Sequence, residues 1–316
     1  MNSWFTFRNI SGVPLLNIEF PKILSNLSQH LTQAGYIMFS TMSHSRTQHI
    51  GIFDSGFGGI NTLRGIVQAL PQYDYMYLGD TARTPYGTRS HDVIYEFTRQ
   101  AIDFLFANQC DLIILACNTA SSDALHKLQQ DYIPIRHPGK KVLGVLIPAV
   151  EEAATQTINK KIGVIATAGT VQSNAFPREI TKINPTIQVF QQACPLLVPL
   201  VEADEHHSPA ASLIITNYLK PLQKKNIDTL ILGCTHYGIL EKIIRKHCGA
   251  GIHIISATKI VPKKLKDYLL RHPEIESRLG KHKKVTFYST DLTDTFATLG
   301  SKFFGKKITV KRVTLK

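Results

Sequence analysis

Two stretches of this chain are near-copies of one strand, and each ends in a cysteine. The first reads Asp111-Leu112-Ile113-Ile114-Leu115-Ala116-Cys117-Asn118-Thr119, and the second Asp228-Thr229-Leu230-Ile231-Leu232-Gly233-Cys234-Thr235-His236. An unbroken apolar run of this length predicts a strand buried on both faces of a parallel sheet, and ligands of such sheets bind beyond the carboxyl ends of the strands. The repeat extends upstream, where Ile50-Gly51-Ile52-Phe53-Asp54-Ser55-Gly56 resembles Ile162-Gly163-Val164-Ile165-Ala166-Thr167-Ala168-Gly169. Two related halves facing each other across a cleft follow from this, with one thiol on each wall. The competing reading, two inert core thiols, sits poorly with the Thr, Asn and His side chains that flank them.

From His49 onward, strand and helix alternate. Strands are expected over 50–53, 75–78, 111–115, 142–147, from 162, over 186–191 and 228–232. Helices are expected up to Leu70 and over 90–108, 149–158, 172–182 and 210–224. Alternation of this kind implies parallel sheets with right-handed crossovers. The fold class is therefore α/β: two pseudo-symmetric, doubly wound domains with mainly parallel sheets and the active site in the cleft between them. Residues 1–47 stand apart as an N-terminal extension without motifs, with one short helix expected near 23–34 and two further Met, Met38 and Met42, just ahead of the first strand.

Composition excludes several classes. Five Cys (110, 117, 194, 234, 248) without CxxC spacing support neither a disulfide framework nor a zinc ribbon, and a reducing, cytoplasmic setting fits best. No apolar run approaches the roughly 20 residues of a membrane span, and no basic segment leads into an apolar core at the start. The net charge of +13 raises nucleic-acid binding, yet residues 259–316 alone carry 15 Lys and Arg against 5 Asp and Glu. The aromatics there (Phe287, Tyr288, Phe296, Phe303, Phe304) follow apolar patterns, so a solvated basic face outside a core is favoured over a nucleic-acid surface.

The strand ends gather Asp54, Ser55, Cys117, Asn118, Thr119, Cys234, Thr235 and His236, with Asp80, Tyr86 and Glu202 in adjoining loops. Asp54-Ser55-Gly56-Phe57-Gly58-Gly59 matches neither a dinucleotide fingerprint nor a P-loop, and its carboxylate would repel a phosphate. Cys234-Thr235-His236 supplies two ligands at a spacing unlike structural zinc, and the loops offer no Schiff-base lysine. No cofactor and no metal are therefore expected. Two opposed thiols suit the removal of a proton from one face of a carbon acid and its return from the other, because a thiol with its pKa lowered by a helix N-terminus or a His serves as base or acid near neutral pH. The reaction so described is a racemisation.

The motifs Asp54-Ser55-Gly56, Pro85-Tyr86-Gly87, Cys117-Asn118-Thr119-Ala120-Ser121 and Gly233-Cys234-Thr235-His236-Tyr237, in this order and spacing, resemble those of the glutamate racemases in the cofactor-independent aspartate/glutamate racemase superfamily. The match spans about 50–305. The resemblance implies that Cys117 and Cys234 are the catalytic acid/bases, one per enantiomer, with Asp54 assisting Cys117, and His236 and Glu202 assisting Cys234. It implies that Asp54, Ser55, Tyr86, Gly87, Asn118, Thr119, Thr235 and His236 hold the substrate glutamate, and that the product D-glutamate serves peptidoglycan synthesis in a bacterial cytoplasm. It further implies a discontinuous first domain, 48–142 plus 253–316, around a second domain of 143–252. Aspartate as substrate, a binding module on a degenerate scaffold and a homodimer all stay open. One departure stands at Ile254-Ile255-Ser256-Ala257, where these enzymes commonly carry an Asp-Ser pair.

Overall fold

The computed structural model describes residues 48–316; the extension expected over 1–47 and its short helix lie outside the described residues. Ten strands fall into two sheets. The first holds β1 (His49–Asp54), β2 (Tyr75–Gly79), β3 (Cys110–Leu115), β4 (Lys141–Gly144), β9 (Val285–Ser289) and β10 (Val310–Arg312), in the order β10-β9-β2-β1-β3-β4. The second holds β5 (Lys161–Ala166), β6 (Gln188–Ala193), β7 (Thr229–Gly233) and β8 (His253–Ile255), in the order β6-β5-β7-β8. Every pairing is parallel.

The order β2-β1-β3-β4 in one sheet repeats as β6-β5-β7-β8 in the other. Thus β1 corresponds to β5 and β3 to β7, which is the pairing that the repeated sequences predict. Both central strands are sealed: every residue of β3 and β7 is buried, as expected where helices cover both faces of a sheet. The first lobe packs Phe53, Ile102, Leu105 and Ile113 into one core, and the second packs Ile162, Val164, Phe176 and Ile231 into another.

Several boundaries differ from expectation for identifiable reasons. The strand expected to reach 147 stops at Gly144, and a helix runs over Leu146–Gln156. Its buried Leu146, Val150 and Ala153 follow helical spacing, and Pro148 sits in the first turn, where its missing N–H costs nothing. The helix expected over 172–182 is two helices, Ala168–Gln172 and Ala175–Ile183, parted by Asn174 at φ 52°, a left-handed conformation that Asn tolerates. The joins expected at 142/143 and 252/253 fall inside β4 and just before β8, so the chain changes sheet after Gly144 and after Ile255. In the basic C-terminal part, Phe287, Phe296, Phe303 and Phe304 are buried as their patterns predict. No helix among the described residues is long and apolar enough to cross a membrane.

The lobes are joined by the helix Ala257–Arg271, which leaves β8 and packs on the helix Gly59–Ala69 of the first lobe as well as on Leu146–Gln156. The contact is tight at Gly65, where an added Cβ would stand 2.4 Å from the backbone oxygen of Thr258. Backbone cannot yield as a side-chain tip can, so Gly65→Ala is expected to cost about 1–3 kcal/mol through overpacking. Thermal unfolding checks this; an unchanged Tm would show that the two helices are not held at this distance.

Candidate active site

The loops after β1, β2 and β3 converge with those after β5 and β7 on one cavity, with Ser55, Tyr86, Cys117, Thr167 and Cys234 among the residues in its wall. Its volume is about 30 Å³, room for about one water. Both repeat-end thiols line it, one from each sheet.

Cys117 stands at the start of the short helix Asn118–Asp123, and its Sγ donates to Ser55 Oγ at 3.4 Å. Burial and the Asp54 carboxylate push this thiol up to about 12, against the opposing effect of the Ser55 hydroxyl and the Ala120 N–H. Asp54 ends β1 and is fully buried. Its Oδ2 accepts from the Gly56 N–H at 3.1 Å. Burial raises its carboxyl above the ordinary range, opposed by His236, by the Gly59 and Gly56 amides and by Thr235. A Cβ at Gly59 would lie 2.6 Å from Asp54 Cβ, so only glycine lets the turn close over this carboxylate.

Cys234 has different company. Its Sγ lies 3.9 Å from His236 Nδ1, and His236 Nε2 lies 3.1 Å from Glu202 Oε1. Glu202 closes the short helix Leu197–Glu202, while His236 rides on the turn Thr235–Gly238, which Tyr237 pins by donating from its hydroxyl to the Cys194 carbonyl at 2.8 Å. Burial alone would lower the imidazole, but the hydrogen bonds and charges of Cys234 and Glu202 outweigh it and raise His236 well above its ordinary value. The turn after β1 reaches this histidine from the other lobe: a Cβ at Gly58 would fall 2.5 Å from His236 Nδ1.

The sequence-predicted residues thus assemble in two tiers. Ser55, Tyr86, Gly87, Cys117, Asn118, Thr119, Cys234, Thr235 and His236 line the cavity. Asp54 and Glu202 stand behind it, Asp54 turned to backbone amides and Glu202 behind the imidazole. Tyr86 turns its hydroxyl away, donating to Asp80 Oδ2 at 2.5 Å. Asn118 Nδ2 is buried without a hydrogen-bond partner among the described residues. Across the seam, Thr119 Oγ1 meets Thr167 Oγ1 at 3.1 Å and Thr170 Oγ1 at 3.2 Å. Sequence reasoning passed over Thr167 and Val198, both in the cavity wall. Thr167 was findable, since the repeat aligns it with Ser55; Val198 lies in the helix Leu197–Glu202, outside the repeated sequence. The other three thiols, Cys110, Cys194 and Cys248, are buried outside the cavity, and burial pushes each up. No cluster of three or more His, Cys, Asp or Glu placed to hold a metal occurs among the described residues.

Known proteins resemble this chain in sequence and fold. The profile of the Asp/Glu/hydantoin racemase family matches residues 50–264. The glutamate racemase of Geobacter metallireducens is 39% identical over 264 residues, covering 82% of this chain and 93% of the relative. That of Chlorobaculum parvum is 44% identical over 223 residues, covering 71% of this chain and 80% of the relative. Among solved structures, glutamate racemase isoform RacE1 of Bacillus anthracis superposes with a TM-score of 0.78 at 33% identity, covering 86% of this chain and 99% of its own. The Francisella tularensis glutamate racemase, solved with D-glutamate, gives 0.77 at 33% identity, over 85% and 98%. With the family's motifs, its fold and two facing thiols in place, this chain belongs to the Asp/Glu/hydantoin racemase family, among its glutamate racemases.

Proposed function

We propose that this protein is an isomerase interconverting L- and D-glutamate by two-base proton transfer at Cα, with Cys117 and Cys234 as the two acid/bases and no cofactor. The observation that carries the reading is the placement of two thiols at the ends of topologically equivalent strands, in the wall of a single cavity. A carbon held between them gives its proton to one sulfur, present as thiolate, and receives another from the second, present as thiol, on the opposite face. Neither thiol needs a partner chain, since both come from one.

The two sides differ in their surroundings. Cys117 keeps its proton beside a buried carboxyl, whereas Cys234 faces the His236 imidazole, itself backed by Glu202. In each direction one sulfur, as thiolate, takes the Cα proton while the other, as thiol, delivers one, and the two exchange roles between directions. The substrate ammonium stabilises a thiolate on the Cys117 side when that sulfur acts as base. The unpaired Asn118 amide and the hydroxyls of Ser55, Thr119 and Thr235 fit the two carboxylates, with the Tyr86-Gly87 backbone alongside. In a bacterial cytoplasm such an enzyme provides D-glutamate for peptidoglycan.

Cys117→Ala and Cys234→Ala should each lower glutamate racemisation by about 10³-fold or more, because one face loses its only proton carrier. Assays from both pure enantiomers, with aspartate in parallel, check this; either variant racemising near the wild-type rate would refute the two-base assignment, and faster turnover of aspartate would refute the substrate.

A second expectation concerns pH. Folded His236 holds its proton above the ordinary value near 6.5, so the stability this supplies is complete below about pH 6.5 and is lost as pH rises through the raised value. His236→Asn should therefore flatten the decline of Tm between about pH 6.5 and 7.5, below the ordinary midpoint of cysteine ionisation. An unchanged slope would mean that the imidazole is neutral.

A further inference from the structure

His236 is held through its two nitrogens, Nδ1 facing Cys234 Sγ at 3.9 Å and Thr235 Oγ1 at 3.5 Å, and Nε2 facing Glu202 Oε1 at 3.1 Å. Contacts at opposite ends of a ring define an axis and leave rotation about that axis free. The Sγ contact is long, so a small change of tilt would end it. A third constraint comes from the other lobe. The ring of Phe57 meets the imidazole at an interplanar angle of 63°, with centroids 5.5 Å apart. Phe57 is itself buried and gripped by the helix Asp294–Phe304, with Phe296 at 6.0 Å and 83° and Phe303 at 5.8 Å and 35°. The next residue, Gly58, lies against the same imidazole, with its missing Cβ 2.5 Å from Nδ1 and 2.8 Å from Cε1.

We propose that Phe57 is a positioning residue for the Cys234 half of the reaction: its ring fixes the tilt of His236 and keeps water from Nδ1, so that the imidazole stays aimed at Sγ. Edge-to-face geometry of this kind is orientation-dependent in a way that an aliphatic contact of equal area is not. The groups that bear on His236 are Cys234, which follows β7, Thr235 beside it in the same turn, Glu202 from the helix Leu197–Glu202, Asp54 from β1, and Phe57 from the turn after β1. Phe57 alone among them carries no charge and makes no hydrogen bond through its side chain. Its influence on proton transfer runs through the orientation and hydration of the imidazole.

This proposal rests on the assignment of Cys234 and His236 to proton transfer, and the test separates the two. The full chain, labelled with nitrogen-15 in histidine, is compared with Phe57→Leu by long-range proton–nitrogen NMR across pH, the His236 signal being identified by its loss in His236→Asn. Phe57→Met serves where the Leu variant does not fold, since Met refills the volume without a ring, and Phe57→Tyr restores the ring. The expected result is a His236 midpoint about one unit closer to its ordinary value in the Leu or Met variant. A fall in kcat on the order of 10-fold should accompany it, with the primary isotope effect changed more in the direction in which Cys234 removes the proton, and Phe57→Tyr should recover all three. A wild-type His236 titration in the Leu or Met variant would overturn the proposal, whatever happens to activity or Tm. Racemisation by Cys234→Ala near the wild-type rate would instead overturn the underlying assignment and leave the titration readable.

Discussion

The approach of the turn after β1 to His236 is the contact on which the site depends. Each sheet buries its own apolar core. What they cannot do separately is place two thiols on one cavity. Glycine at 58 and 59 lets the backbone of the first lobe lie against an imidazole of the second and against the Asp54 carboxyl at distances that a Cβ would forbid. The hydroxyls of Thr119, Thr167 and Thr170 fasten the seam on its other side, and the helix Ala257–Arg271 fastens it from outside.

Equivalent strand ends have acquired unequal electrostatics. At Cys117 the neighbours are a hydroxyl and a buried carboxyl, which favour a protonated thiol. At Cys234 they are an imidazole and, behind it, a half-exposed carboxylate. A symmetric pair of thiols in a dry cavity would both stay protonated, because burial penalises the charged form. The Glu202–His236 pair breaks that symmetry on the Cys234 side, while the Asp54 carboxyl interacts with both Cys117 and His236.

Much of this was legible in the sequence because it was written twice. Buried parallel strands leave continuous apolar runs, and the repeat fixed which strand ends are equivalent, so the sheet order around β1 and β5 and the positions of both thiols could be anticipated. The nearby Asp54, Ser55, Asn118, Thr119, Thr235 and His236 came with them. What escaped is what depends on packing between lobes. Val198 enters the cavity from the helix Leu197–Glu202, outside the repeated sequence, the Tyr86 hydroxyl is claimed by Asp80, and Phe57 gains its role only through a ring in the other lobe. Helix starts at Leu146 and the break at Asn174 were missed because proline in a first turn and asparagine at positive φ read, in sequence alone, as ordinary loop and ordinary helix.

The central claim is that protons leave and arrive on opposite faces through different thiols. The most direct measurement starts from each pure enantiomer of glutamate in deuterium oxide and follows deuterium at Cα in substrate and product during the first few per cent of turnover. Two separate acid/bases predict product that carries solvent deuterium while recovered substrate stays protiated, from either direction. Protium carried from substrate into product would show one group serving both faces and would contradict the account.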